Sequence, residues 1–177
     1  MPVITVVFDT AWQQKLRSYA PLPLRLIVGY GFMAHGFAKL MKGPDTFVAI
    51  VHALGVPAPF FMAWLTILIE LFGGLAVLFG AFVVLLSLPM AAVLLVAMFT
   101  VHLPFGFTSI KLMAITPSGP QFGPPGYETN LLYLACLAAL VMGGSGPWAI
   151  DSQIAKWLRK MRKQPSGLES VDRKSVV

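Results

Sequence analysis

From Phe60 to Leu103 the chain is almost unbroken hydrocarbon, and its single fully charged side chain there is Glu70. Crossing the core of a bilayer as a helix takes about 20 apolar residues, so this run spans twice. A carboxylate at that depth costs a few kcal/mol. It is therefore neutralised, paired or used.

Composition agrees with a membrane setting. The chain is 57% hydrophobic and 11% charged, against about 25% charged in soluble domains. Its 177 residues suit one domain. A net charge of +6 raises the question of nucleic acid, but seven of the thirteen Lys and Arg lie after Asp151. That placement marks a cytoplasmic membrane surface and argues against a nucleic-acid partner. The lone Cys136 excludes a disulfide framework or a thiolate metal site within one chain and reads as a packing residue.

The expected fold is an all-α membrane protein, a four-transmembrane-helix bundle with N- and C-terminal cytoplasmic amphipathic segments. Spans are placed at about 22–40, 60–79, 82–103 and 128–146, within a membrane domain of 22–149. A tight turn is expected at Gly80-Ala81, and Pro89 falls inside the third span, where neighbouring helices re-satisfy the backbone. Residues 43–59 and 104–127 become outer loops. Residues 1–21 show no cleavable signal pattern. Lys15 and Arg17 before the first span, and Lys156, Arg159, Lys160, Arg162 and Lys163 after the last, place both termini in the cytoplasm of an inner-membrane, multi-pass protein.

Phe8, Trp12, Leu16 and Tyr19 recur at helical spacing after a candidate Asp9-Thr10 cap in segment 1–21. Ile150, Ile154, Trp157, Leu158 and Met161 recur likewise, interleaved with basic residues, in segment 150–177. Basic amphipathic helices with tryptophan lie in the headgroup plane, although docking to a partner would use the same faces. Trp64, Trp148 and Trp157 read as belt aromatics, and residues 164–177 read as disordered.

In the first span, Arg25, His35 and Lys39 share one side with Gly29 and Gly36. Small residues permit close helix contact, so this face turns into the bundle. Glu70, followed by Gly73 and Gly74, repeats the pattern in the second span. His102 ends the third span and Glu128 starts the fourth. His35, Lys39, His102 and Glu128 thus converge at one outer level with Glu70 beneath. The Pro/Gly-rich stretch from Pro117 to Tyr127 is expected to cover them as a lid. Glu70, His35 and Lys39 are the candidate catalytic groups; His102, Glu128, Tyr127 and Lys111 are candidate substrate contacts. Each has a plainer account. Lys39 and Lys42 can snorkel to headgroups, Glu128 favours a helix N-terminus, Arg25 and His102 suit an interface, and Glu70 suits a buried structural pair.

Arg25-Leu26 with Gly29, His35-Gly36-Phe37-Ala38-Lys39-Leu40, Leu54-Gly55-Val56-Pro57 and Glu70-Leu71-Phe72-Gly73-Gly74 with Gly80 resemble the DoxX/DoxD-like membrane family. His102, Tyr127-Glu128-Thr129-Asn130-Leu131, Gly144-Ser145-Gly146 and Ile150-Asp151 extend the likeness from Leu24 to Asp151. The Thr-Arg often found after the second-span glycine is absent; Ala81-Phe82-Val83-Val84 stands there, which removes a cytoplasmic charge. The resemblance implies a four-helix bundle and an association with respiratory or redox complexes.

Three functions follow as expectations. The first is a membrane subunit of a quinone-linked redox or respiratory complex, binding quinone or a small anionic substrate in an outward-facing polar pocket. His35 or His102 would donate to a quinone carbonyl, Lys39 would stabilise anionic charge and Glu70 would relay protons. Haem between His35 and His102 is the weaker cofactor reading, and no metal-ligand set is read. Electrons would come from a partner subunit or from the substrate. The second is a non-catalytic subunit stabilising a larger membrane complex or a homo-oligomer. The third is a small transporter, disfavoured by four spans and no internal repeat.

Overall fold

Proline sets the start of three helices, because its missing N–H is not needed in a first turn and its φ is already helical. These are α2 (Pro21–Met41), α3 (Pro44–Ala53) and α4 (Pro59–Phe79). The computed structural model describes residues 10–162. Ahead of α2 lies α1 (Thr10–Arg17); after α4 come α5 (Val83–Phe105), a hairpin of β1 (Leu112–Thr116) and β2 (Gly119–Phe122), α6 (Glu128–Gly143) and α7 (Ile150–Arg162). Phe8, Asp9, Lys163 and the tail 164–177 lie outside the described residues.

The chain is mostly helical. By length and composition, α4 and α5 are two helices able to cross a membrane, and α6 is a shorter apolar helix. Large apolar side chains cover the outer faces: Tyr30, Phe37, Phe72, Leu85, Leu88, Phe99 and Leu132 are each more than half exposed. Contiguous greasy surface on this scale is unsuited to water and suited to lipid.

Two expectations need correction. The loop expected at 43–59 is largely helical, because Pro44 and Asp45 start α3 over the apolar run Phe47 to Val51. The all-α expectation also fails locally. Residues 104–127 contain an antiparallel hairpin pairing Ala114 with Gln121, Ile115 with Pro120 and Thr116 with Gly119. Gly119 turns it at φ +116°, and a two-stranded ribbon tolerates Pro120 because both of its strands are edges.

Inside, α2 lies against α4 at glycine. A Cβ on Gly29 would meet Gly74 O at 2.7 Å, and one on Gly74 would meet Gly29 O at 2.8 Å. Backbone thus touches backbone, as small residues allow in membranes. α6 packs on α2 and α5. The core shared by α2, α4, α5 and α6 contains Val28, Phe32, Val77, Val83, Met90, Leu137 and Leu140. Between α4 and α5 the chain reverses at Gly80, φ +70°, where the turn was expected.

The far end of α2 from Lys39 is tied by a polar clamp. Arg25 is 3% exposed and donates to Ser145 O at 2.6 Å and Leu78 O at 3.3 Å. Asp151, on α7, accepts from Phe82 N–H at 2.8 Å and Val83 N–H at 3.1 Å. It therefore caps α5 from a distant part of the chain. Ser145 Oγ donates to the same carboxylate at 3.1 Å. The exposed residues Ile150, Ile154, Trp157, Leu158 and Met161 leave the apolar side of α7 uncovered.

Candidate functional site

Glu70 is brought inside by the way α4 is wound. It lies in a π-helical turn, Ile69–Gly73. His102 ends a second such turn, Met98–His102, in α5. π-turns widen a helix by one residue, re-aim the side chains around them and recur at functional sites. Across from Glu70 on α2 is Gly36, where a Cβ would stand 3.0 Å from the Glu70 Cβ, so the absent side chain lets the carboxylate in.

The charge at membrane depth is paired. Lys39 Nζ donates to Glu70 Oε1 at 2.6 Å and to Oε2 at 2.5 Å. The Glu70 side chain is 7% exposed and that of Lys39 22%. Lys39 also lies over the Phe47 ring of α3, 4.9 Å from its centroid, a second favourable placement for the ammonium.

Beside this pair is a cavity of about 340 Å³. Phe32, Val93, Leu94 and Ala97 supply apolar wall, while His35, Lys39, Glu70, His102, Thr129, Asn130 and Tyr133 supply polar groups. Cavities of this size and mixture hold small molecules, with the few polar groups fixing orientation. Asn130 Nδ2 donates to Leu94 O at 3.2 Å, joining α6 to α5 at the wall. Tyr133 meets the Phe32 ring edge-on at 5.7 Å, and glycine at 31 leaves space for its hydroxyl. His102 Nδ1 is 3.1 Å from Pro125 O. A carbonyl only accepts, so Nδ1 is the donor in this contact.

Four of the seven residues singled out from sequence, His35, Lys39, Glu70 and His102, line this one cavity. The other three do not line it. Glu128 Oε2 accepts the Ser109 N–H at 3.0 Å. Tyr127 packs edge-on against Phe107 at 5.6 Å. Lys111 directly precedes β1, its carbonyl accepting from Gly123 N–H at 2.9 Å. The expected lid is reduced to Pro125 and Gly126, because pairing into a ribbon carries the rest of the loop away. Sequence reasoning gave no role to Thr129, Asn130 and Tyr133. Their i, i+1, i+4 spacing on an otherwise apolar helix was the available signal.

Among the described residues, no group of three or more His, Cys, Asp or Glu is placed to hold a metal ion. The arrangement offers other chemistry: a buried ion pair able to shift a proton, a fixed imidazole and an apolar slot.

Comparison with known proteins finds one family model and relatives over most of the chain. The DoxX family model matches residues 20–103. An uncharacterized membrane protein of Mycobacterium tuberculosis is 28% identical over 160 residues, covering 82% of this chain and 90% of its own. An uncharacterized protein of Haemophilus influenzae is 27% identical over 145 residues, covering 81% of this chain and 96% of its own. No solved structure matches the chain significantly. The matched segment runs from the start of α2 into the end of α5 and holds His35, Lys39, Glu70 and His102, whereas the hairpin and α6 lie beyond it. The resemblance read in the residues agrees with this: residues 20–103 match the DoxX family model, and most of the chain is similar to an uncharacterized membrane protein.

Proposed function

We propose that the chain is a four-span inner-membrane protein with both termini in the cytoplasm, and that its cavity binds a quinone-type ring for a redox complex of which it is one subunit. The observation that carries this reading is the convergence of His35, Lys39, Glu70 and His102, from three helices, on one apolar cavity. A flat ring fits such a slot. His35 donates to an oxygen of the ring, Lys39 offsets charge developing there, and Glu70 exchanges protons with Lys39 across the contact they already make. Electrons reach the ring through a partner chain. Two further spans come from α2, 21 residues long, and α6, 16 residues long. Lys156, Arg159, Lys160 and Arg162 on α7 set the cytoplasmic side.

The test is to extract the chain with its native lipids and measure bound quinone per chain by mass spectrometry. Wild type is expected to carry quinone well above its share of the surrounding lipid, and Lys39→Met to lose most of it. A second reading, a structural subunit, is favoured by the closure of the Lys39–Glu70 pair and by the uncovered apolar faces of α4, α5 and α7. It prevails if Lys39→Met leaves quinone content unchanged while partner subunits are lost on purification.

A further inference from the structure

One bond decides the chemistry of the His102 ring. Nδ1 donates to Pro125 O, so in the neutral imidazole Nε2 is left with a lone pair and no hydrogen. The carbonyl that holds the ring is not on a free loop. Gly126 N–H donates to Thr108 O at 3.1 Å and Tyr127 N–H to Gly106 O at 3.0 Å, continuing the hairpin to its base. No side chain fits at Gly126, whose Cβ would run into the Gly106 and Phe107 backbone. The ribbon therefore seats Pro125 O, Pro125 O seats the ring, and the ring lines the cavity with Nε2 as its remaining polar atom. Across the cavity the ammonium of Lys39 can only donate. The cavity is thus polarised, with a fixed acceptor on the α5 side and a donor on the α2 side.

We infer that His102 selects the protonated form of the ligand: the cavity takes a ring bearing a hydroxyl at His102 in preference to the same ring with a carbonyl or methoxy group there. The inference rests on the reading that the cavity holds a quinone-type ring, and it adds which redox form binds best. A carbonyl oxygen against Nε2 sets lone pair against lone pair and leaves both atoms unsatisfied, whereas a hydroxyl satisfies both. One such bond is worth about tenfold in affinity.

The test uses the full chain in lipid nanodiscs under anaerobic, reducing conditions. The probes are tetramethylhydroquinone, its dimethyl ether and, in a separate oxidised sample, tetramethylbenzoquinone. Wild type is expected to bind the hydroquinone about tenfold more tightly than the ether or the quinone. His102→Asn keeps an amide N–H near the Nδ1 position and has nothing at Nε2, so it is expected to bring the hydroquinone-to-ether ratio to about one. Thermal melting of His102→Asn at the wild-type temperature serves as the control for folding. His102→Gln, with an amide oxygen near the Nε2 position, is expected to restore part of the preference. A wild type without preference, or a His102→Asn variant that keeps it, overturns the role of His102 and leaves the quinone reading standing. If no probe binds wild type, the quinone reading falls and takes this inference with it.

Discussion

Removing Lys39 should harm this protein more than removing Glu70, and removing both should harm it least. Lys39→Met strips the partner from a carboxylate 7% exposed, and an orphaned buried charge costs about 3 kcal/mol. The low end of that range applies because the lysine side chain is 22% exposed, so some polar medium reaches the site. Glu70→Met leaves an ammonium that can extend outward along its own stem, over the Phe47 ring, at about 1 kcal/mol. The double variant exchanges a charged pair for packed hydrocarbon and should lie within about 1 kcal/mol of wild type. The two single costs thus exceed the double by roughly 3 kcal/mol, a coupling that only residues in contact show. Thermal unfolding in mild detergent reads this out. At about 2–4 °C per kcal/mol for a chain of this length, Lys39→Met should melt roughly 6–12 °C lower. Single effects that are equal and add up in the double variant would refute the pairing and with it the buried position of Glu70.

The remaining expectations concern the frame that holds the pair. Asp151→Ala removes the two carboxylate oxygens that accept from the Phe82 and Val83 N–H groups at the start of α5; it should cost about 1–2 kcal/mol and speed proteolysis at Gly80–Phe82, and unchanged melting would show the cap idle. Gly29→Leu drives a side chain into the Gly74 backbone, so it should abolish a stable fold while Gly143→Leu, in open space, is tolerated; equal melting of the two would refute the close crossing. Gly80→Val combines a β-branched side chain with φ +70° and a Cβ 2.5 Å from that of Ala149, and should lower Tm by several degrees. Cysteines at Ser118 and Gln153 should label from opposite faces of sealed spheroplasts or inverted vesicles, and labelling from one face would break the four-span topology.

How far the sequence carried depended on range. The long apolar runs set the helices within a few residues, because hydrophobic length is a property of the chain alone. Glycine spacing on α2 and around Glu70 pointed both faces inward, and Lys39 meets Glu70 there. The features that stayed hidden are tertiary or local in geometry. Nothing in Ile69–Gly73 or Met98–His102 spells a π-turn, since the extra residue is accommodated by packing. Asp151 reads as the first charge of a basic helix, yet its partners are the amides of Phe82 and Val83, 69 and 68 residues earlier. Pro117 to Tyr127 reads as a stiff cover, because proline and glycine mark turns without saying that the flanking residues pair. That pairing removed Lys111 from the pocket and left Glu128 bonding Ser109. Asn130 and Tyr133 carry no charge, so only their spacing on an apolar helix marks them in the sequence.

The central claim is that the cavity beside Lys39 and Glu70 is a ligand site. Equilibrium binding of a labelled short-chain quinone to the chain in nanodiscs, wild type against Ala97→Trp, addresses it most directly. Ala97 lines the cavity and carries neither charge nor hydrogen bond, so the indole fills the space and leaves the Lys39–Glu70 pair in place. The account expects saturable binding at a single site in wild type and only non-saturable partition into lipid in Ala97→Trp, with both proteins melting alike. Saturable binding of equal affinity in the two would contradict it.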